Sequence, residues 1–126
     1  GGHFMVQERH IYDCQAGCPV ESTLQIISGK WKSVIIYQLL QHSNLHFGDL
    51  TRALPDCSRR MLTLQLEELI ADHVITKTVI SLRPLKTEYQ LSEFGQTLSP
   101  VINAMATWGT YYNQVAQQDV GYCNLQ

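Results

Sequence analysis

The sequence predicts a mainly α-helical fold with one small β-hairpin. Three observations carry that expectation. Apolar residues recur at three- and four-residue spacing from Cys18 to Asp72. That spacing gives way to β-branched positions between Val74 and Leu91. Helical spacing then returns after Ser92 and runs to about Gln118. With 126 residues, 44% hydrophobic and 16% charged, the chain is one domain with a real core rather than a disordered segment.

The first helix is expected to start at Cys18-Pro19-Val20-Glu21, because proline suits the first helical position and Glu21 lies three residues after the cap. Gly29 ends it near Ser28. A second helix, Lys30 to about His42, carries Trp31, Val34, Ile35, Gln38 and Leu39 at helical spacing, with apolar residues around most of it, so it reads as the buried one. A polar break at residues 42–44 precedes a short third helix marked by Phe47, Leu50 and Leu54 and closed by Pro55. Asp56-Cys57-Ser58 reads as a turn, with Ser58 as the N-cap of a fourth helix running from Arg59 to about Asp72. Leu62, Leu66, Leu69 and Ile70 form its inner stripe; Arg59, Arg60, Thr63 and Glu67 lie opposite. Strands are expected at residues 74–80 and 87–91, joined by a turn over residues 81–86. The last helical stretch is interrupted near Ser99-Pro100.

Two short helices joined by a tight turn, followed by a hairpin with a basic tip, make a winged helix-turn-helix. The fourth helix is then the reading helix. Its start can reach base edges in the major groove, where arginine pairs two-pronged with guanine. Arg59, Arg60 and Thr63 are the expected base readers, and Ser58 with its neighbouring amides can hold a phosphate. Arg83 and Lys86 at the hairpin tip can follow the backbone or enter the minor groove. The net charge of −2 does not oppose this, because residues 30–86 hold eight cations against five acids. A bland reading of the paired arginines as a solvated helix start is outweighed by their place in the order of elements. A winged helix that mediates protein contacts is the alternative role.

Val101, Met105, Trp108, Tyr112 and Val115 are spaced four, three, four and three apart, a seven-residue seam suited to helix-on-helix packing. They are read as a homodimer interface, with Leu98 and Ile102 free to face the chain's own core. The expected organisation is an N-terminal extension over residues 1–17, a winged helix-turn-helix over 18–97, and a C-terminal dimerisation helix and tail over 98–126.

No apolar run approaches a membrane span, so no membrane contact is expected. The start, Gly1-Gly2-His3-Phe4-Met5, reads as a cloning remnant before a native Met5 and lacks the pattern of a signal peptide, so a cytoplasmic location is expected. In a reducing compartment, Cys14, Cys18, Cys57 and Cys123 are free thiols, metal ligands or redox sensors. Cys18 stands at a helix start, where the helix dipole favours the thiolate, although Glu21 opposes it. The plain alternative is a small buried residue. His10, Cys14 and Cys18 are spaced by four, which admits a metal-sensing alternative, weakened by Pro19. Otherwise no metal site and no cofactor is expected. His42 and His46 straddle a helix end and are expected to face solvent. No nucleophile elbow or phosphate loop is present, so an enzyme is not expected.

Several segments together resemble one family. Cys18-Pro19-Val20-Glu21, Gly29-Lys30-Trp31-Lys32 and Phe47-Gly48-Asp49-Leu50 are similar to the HxlR-type (MarR-like) transcriptional regulators. So are Ser58-Arg59-Arg60-Met61-Leu62-Thr63, Gln65-Leu66, Glu68-Leu69 and the run from Glu88 to Gly95. The resemblance covers about residues 18–112. It implies a winged-helix fold, a homodimer and binding to near-palindromic double-stranded DNA operators. It also implies that Cys18 senses a small electrophile or oxidant, and hence a redox-responsive repressor; Cys14, Cys57 or Cys123 could then resolve an oxidised Cys18 to a disulfide, Cys14 and Cys57 being the expected partners. Two positions depart from the family pattern. His73 stands where glycine is common, and Cys57 stands where an aliphatic residue is common.

Overall fold

A computed structural model describes residues 17–118. Helix α1 spans Pro19–Ile27, with Cys18 at its extended N-cap and Pro19 in its first turn. It ends where the Ser28 N–H bonds Leu24 O at 2.8 Å. Gly29 follows at φ +100°, a left-handed conformation that glycine adopts without a Cβ penalty. Helix α2 spans Lys32–Gln41, two residues shorter at its start than the spacing suggests, because Trp31 serves as its N-cap. Ile35 and Ile36 have no exposed surface, and Leu39 is also buried. This helix packs against α3 (Phe47–Ala53), α4 (Arg59–Ala71), β3 (Leu85–Leu91) and α6 (Ser99–Gln118), so it is the centre of the core.

One element escaped the sequence reading. Leu45–His46 forms a two-residue strand, β1, that pairs antiparallel with β3, Leu45 opposite Tyr89 and His46 opposite Glu88. The hairpin partner β2 spans Ile75–Leu82, and the three strands lie in the order β1-β3-β2. The strands run further toward the tip than expected. Leu82 pairs with Leu85, so Arg83-Pro84 alone turns the chain, and Lys86 lies within β3. Only the root of the hairpin is buried: Ile75, Tyr89 and Leu91 join the core, while β2 from Thr76 to Ile80 is exposed. The hairpin therefore projects from the body.

The turn from α4 into β2 passes through His73 at φ +63°. Glycine, which the resemblance leads one to expect here, would adopt this conformation freely; a non-glycine residue there costs roughly 1 kcal/mol. Behind it, short α5 (Glu93–Gln96) is clamped to the hairpin root. Ser92 Oγ donates toward Val74 O at 3.0 Å and accepts the Gly95 N–H at 2.9 Å. A Cβ on Gly95 would stand 1.9 Å from Val74 O, so this close approach requires glycine.

Helix α3 is capped by Asp49, whose Oδ2 accepts the His46 N–H at 2.9 Å and lies 3.3 Å from His46 Nδ1. With Arg52 on its other oxygen, the Asp49 carboxyl is held below the usual aspartate range, first by the His46 backbone bond. His46 is therefore not simply a solvent-facing side chain: it is half-exposed, tied to Asp49, and 4.0 Å from Glu88 of β3. His42 is exposed, as expected.

Candidate nucleic-acid interface

The fourth helix has the cap its sequence indicates. Ser58 Oγ accepts the Met61 N–H at 3.0 Å, which fixes the direction in which the first turn leaves the body. Leu62, Leu66 and Leu69 are buried on one side, and Ile70 is half-buried. On the other side Arg59, Arg60, Thr63 and Glu67 are exposed. Arg59 and Arg60 pair with no carboxylate among the described residues.

The two arginines are not equivalent. The Arg59 guanidinium lies over the Phe47 ring, 4.8 Å from its centroid, so α3 holds it in place. Arg60 has no such ring beneath it among the described residues and is exposed to solvent. Thr63 Oγ1 donates to Arg59 O at 2.9 Å, which leaves its oxygen lone pairs and its methyl group to meet a ligand. Phe47 was expected only to mark a helix; its role under Arg59 depends on how α3 crosses α4. One turn apart on α4, Met61 and Gln65 are joined by a 3.5 Å Gln65 Nε2 to Met61 Sδ contact.

Arg83 and Lys86 are exposed at the hairpin tip, as expected, and Lys77 is exposed on β2. Lys32, counted among the eight central cations, does not belong to this face. It is 4% exposed, and its Nζ lies 2.6 Å from Glu68 Oε1 on the inner side of α4.

The thiols separate clearly. Cys18 is exposed at the start of α1. Cys57 is 6% exposed under the start of α4, and burial pushes its thiol above the ordinary range, partly offset by Lys30. Cys14, Cys123 and His10 lie outside the described residues. Among the described residues no three metal-ligating side chains come together.

On α6 the expected seam divides. Val101 packs partly against the core beside Leu98 and the buried Ile102. Met105, Trp108 and Val115 are exposed, and Trp108 stacks on Tyr112 with ring centroids 5.6 Å apart. A shallow apolar groove runs along Val101, Ala104, Met105 and Trp108. Tyr111, outside the seven-residue pattern, is also largely exposed. No helix among the described residues is long and apolar enough to cross a membrane.

A capped, arginine-bearing helix standing on its own leucines, beside a projecting hairpin, defines a DNA-binding winged helix-turn-helix protein. Residues 26–117 match the HxlR-like helix-turn-helix family, and the chain belongs to it. It is 43% identical over 105 residues to the HTH-type transcriptional regulator YybR of Bacillus subtilis, covering 83% of each chain. Among solved structures, the redox regulator HypR in its reduced form aligns with a TM-score of 0.74 at 40% identity, over 81% of this chain and 100% of that one. Its oxidised form aligns with a TM-score of 0.70 at 44% identity, over 75% and 96%. The family and these relatives are transcriptional regulators, and so is this protein.

Proposed function

We propose that the protein is a dimeric, redox- or electrophile-responsive repressor that reads a near-palindromic operator in the cytoplasm. The observation that carries this reading is the first turn of α4, where exposed Arg60 and Phe47-braced Arg59 stand free of carboxylates. Arg60 reads a guanine edge two-pronged. Arg59, less free to move, is placed for a neighbouring base or phosphate. Thr63 presents its methyl and oxygen to the same groove. Ser58 and the free amides of the first turn hold a phosphate. Arg83 and Lys86 add backbone contacts from the hairpin, and residues 98–126 supply the dimer contact through Met105, Trp108, Tyr112 and Val115.

Cys18 is the proposed sensor. It is exposed at the start of α1, open to an oxidant, and the resemblance to HypR in reduced and oxidised forms supports a thiol switch. Oxidation joins two thiols as a disulfide; the two protons and two electrons pass to the oxidant. Cys14 or Cys57 is the partner, and Cys57 takes part only if the turn before α4 opens.

Two measurements test this reading on a duplex enriched from random DNA by the reduced protein. Arg60→Ala is expected to weaken binding by about 1–3 kcal/mol and to relax preference at one base pair of each half-site. An unchanged sequence preference would remove Arg60 from the reading helix. Diamide is expected to change the gel-shift affinity of the wild type, but not of Cys18→Ser. Equal responses would end the sensor role of Cys18.

A further inference from the structure

We propose that the tip of the β2–β3 hairpin is an apolar wedge that inserts Leu82 and Leu85 into the minor groove of duplex DNA and kinks it. This inference rests on the DNA-reading role proposed above and gives the hairpin a function beyond neutralising phosphates.

The two leucines face each other across the tip and are 78% and 67% exposed, the highest values for large hydrophobic side chains among the described residues. Val79 and Ile80, further down β2, are about half exposed. Single exposed leucines are ordinary, but a paired set at the end of a projecting hairpin is a presented apolar surface. It stands at the opposite end of the hairpin from the buried root, with Arg83-Pro84 alone closing the turn.

Charge selects the occupant. From Lys77 to Thr87 the hairpin carries Lys77, Arg83 and Lys86 and no carboxylate. The surface is thus apolar at its point and cationic around it. Two leucines and a proline offer only a fraction of the roughly 800 Å² per partner that a standard protein interface buries. A polyanion with a narrow groove and an apolar interior fits both features. Leucine and proline wedges enter the minor groove between base steps, unstack them and kink the duplex by about 20–90°. Pyrimidine–purine steps open most easily, so the wedge would select such steps without a hydrogen bond to any base.

The test uses the full-length reduced protein and duplexes it enriches from random-sequence DNA. 2-Aminopurine is placed at each pyrimidine–purine step flanking the α4 footprint, and end-to-end energy transfer reports the bend. The wild type is expected to raise 2-aminopurine fluorescence several-fold at one step per half-site and to shorten the end-to-end distance. In Leu82→Ala/Leu85→Ala, whose substituted side chains lie outside the core, both signals should vanish. Affinity should fall roughly ten-fold, the scale of one lost base-pair preference, with the salt dependence unchanged. Arg83→Ala should do the reverse, keeping the kink and lowering the salt slope by about one. A straight wild-type complex, or a kink that survives in the double-alanine variant, overturns the wedge alone. Failure to enrich any duplex overturns the DNA-reading role and the wedge with it.

Discussion

Trp108→Asp is expected to give a folded monomer that no longer holds its operator. Trp108 is 64% exposed, so the substitution leaves the core of the protomer intact. A buried tryptophan removes about 150–250 Å² from water, of which roughly 100–160 Å² remains to be covered here by a partner. At about 25 cal/mol per Å² that is roughly 2.5–4 kcal/mol per copy, and a twofold interface contains two copies. The aspartate also places a charge where the partner's apolar face should sit, which adds a desolvation cost. Operator binding fails with the dimer, because two reading helices must stand about 34–36 Å apart to meet successive major grooves. Sedimentation and gel-shift measurements on one preparation check both effects. A variant that remains dimeric, or a monomer that keeps full operator affinity, would sink the assignment of α6.

The second large effect falls on stability. Lys32→Met is expected to destabilise the protein by about 3 kcal/mol, the low end for breaking a buried ion pair, because Glu68 keeps 19% of its side chain exposed. The loss arises less from the missing attraction than from the largely covered carboxylate left without its cation, with the buried Asp72 four residues further on, at the end of α4. At fixed protomer concentration the melting temperature should fall on the order of 10 °C. Lys32→Met combined with Glu68→Leu should recover most of that loss, since two apolar residues of similar volume replace a buried pair at little cost. A single variant within about 0.5 kcal/mol of the wild type would show that the pair is no stronger than a surface salt bridge.

Both predictions mark the limit of what was legible from residue order. The seven-residue spacing on α6 pointed to a helix-packing seam, but it could not say which members the chain would take for itself. Val101 turned to the core beside Ile102, while Met105 and Trp108 stayed outside. Lys32 and Glu68 stand thirty-six positions apart, and nothing local joins them. Lys32 was therefore counted with the surface cations.

What the sequence determined by itself was the order and kind of the elements. Proline and glycine bound α1, Ser58 caps α4, and the period of the apolar residues shifts from helix to strand and back. These are short-range effects of backbone sterics, capping and amphipathic spacing, so residue order suffices to state them. It also placed Arg59, Arg60 and Thr63 on the outward side of α4, because the leucines opposite them had to face in. Tertiary structure alone decided which neighbour each face meets. The α3–α4 crossing set Phe47 under Arg59, β3 captured Leu45–His46 as a third strand, and the length of the hairpin left Leu82 and Leu85 standing clear of the body. Each of these depends on segments distant in sequence coming together. A local hydrophobic pattern specifies that a surface is to be covered or left open; the packing of the whole chain specifies by what.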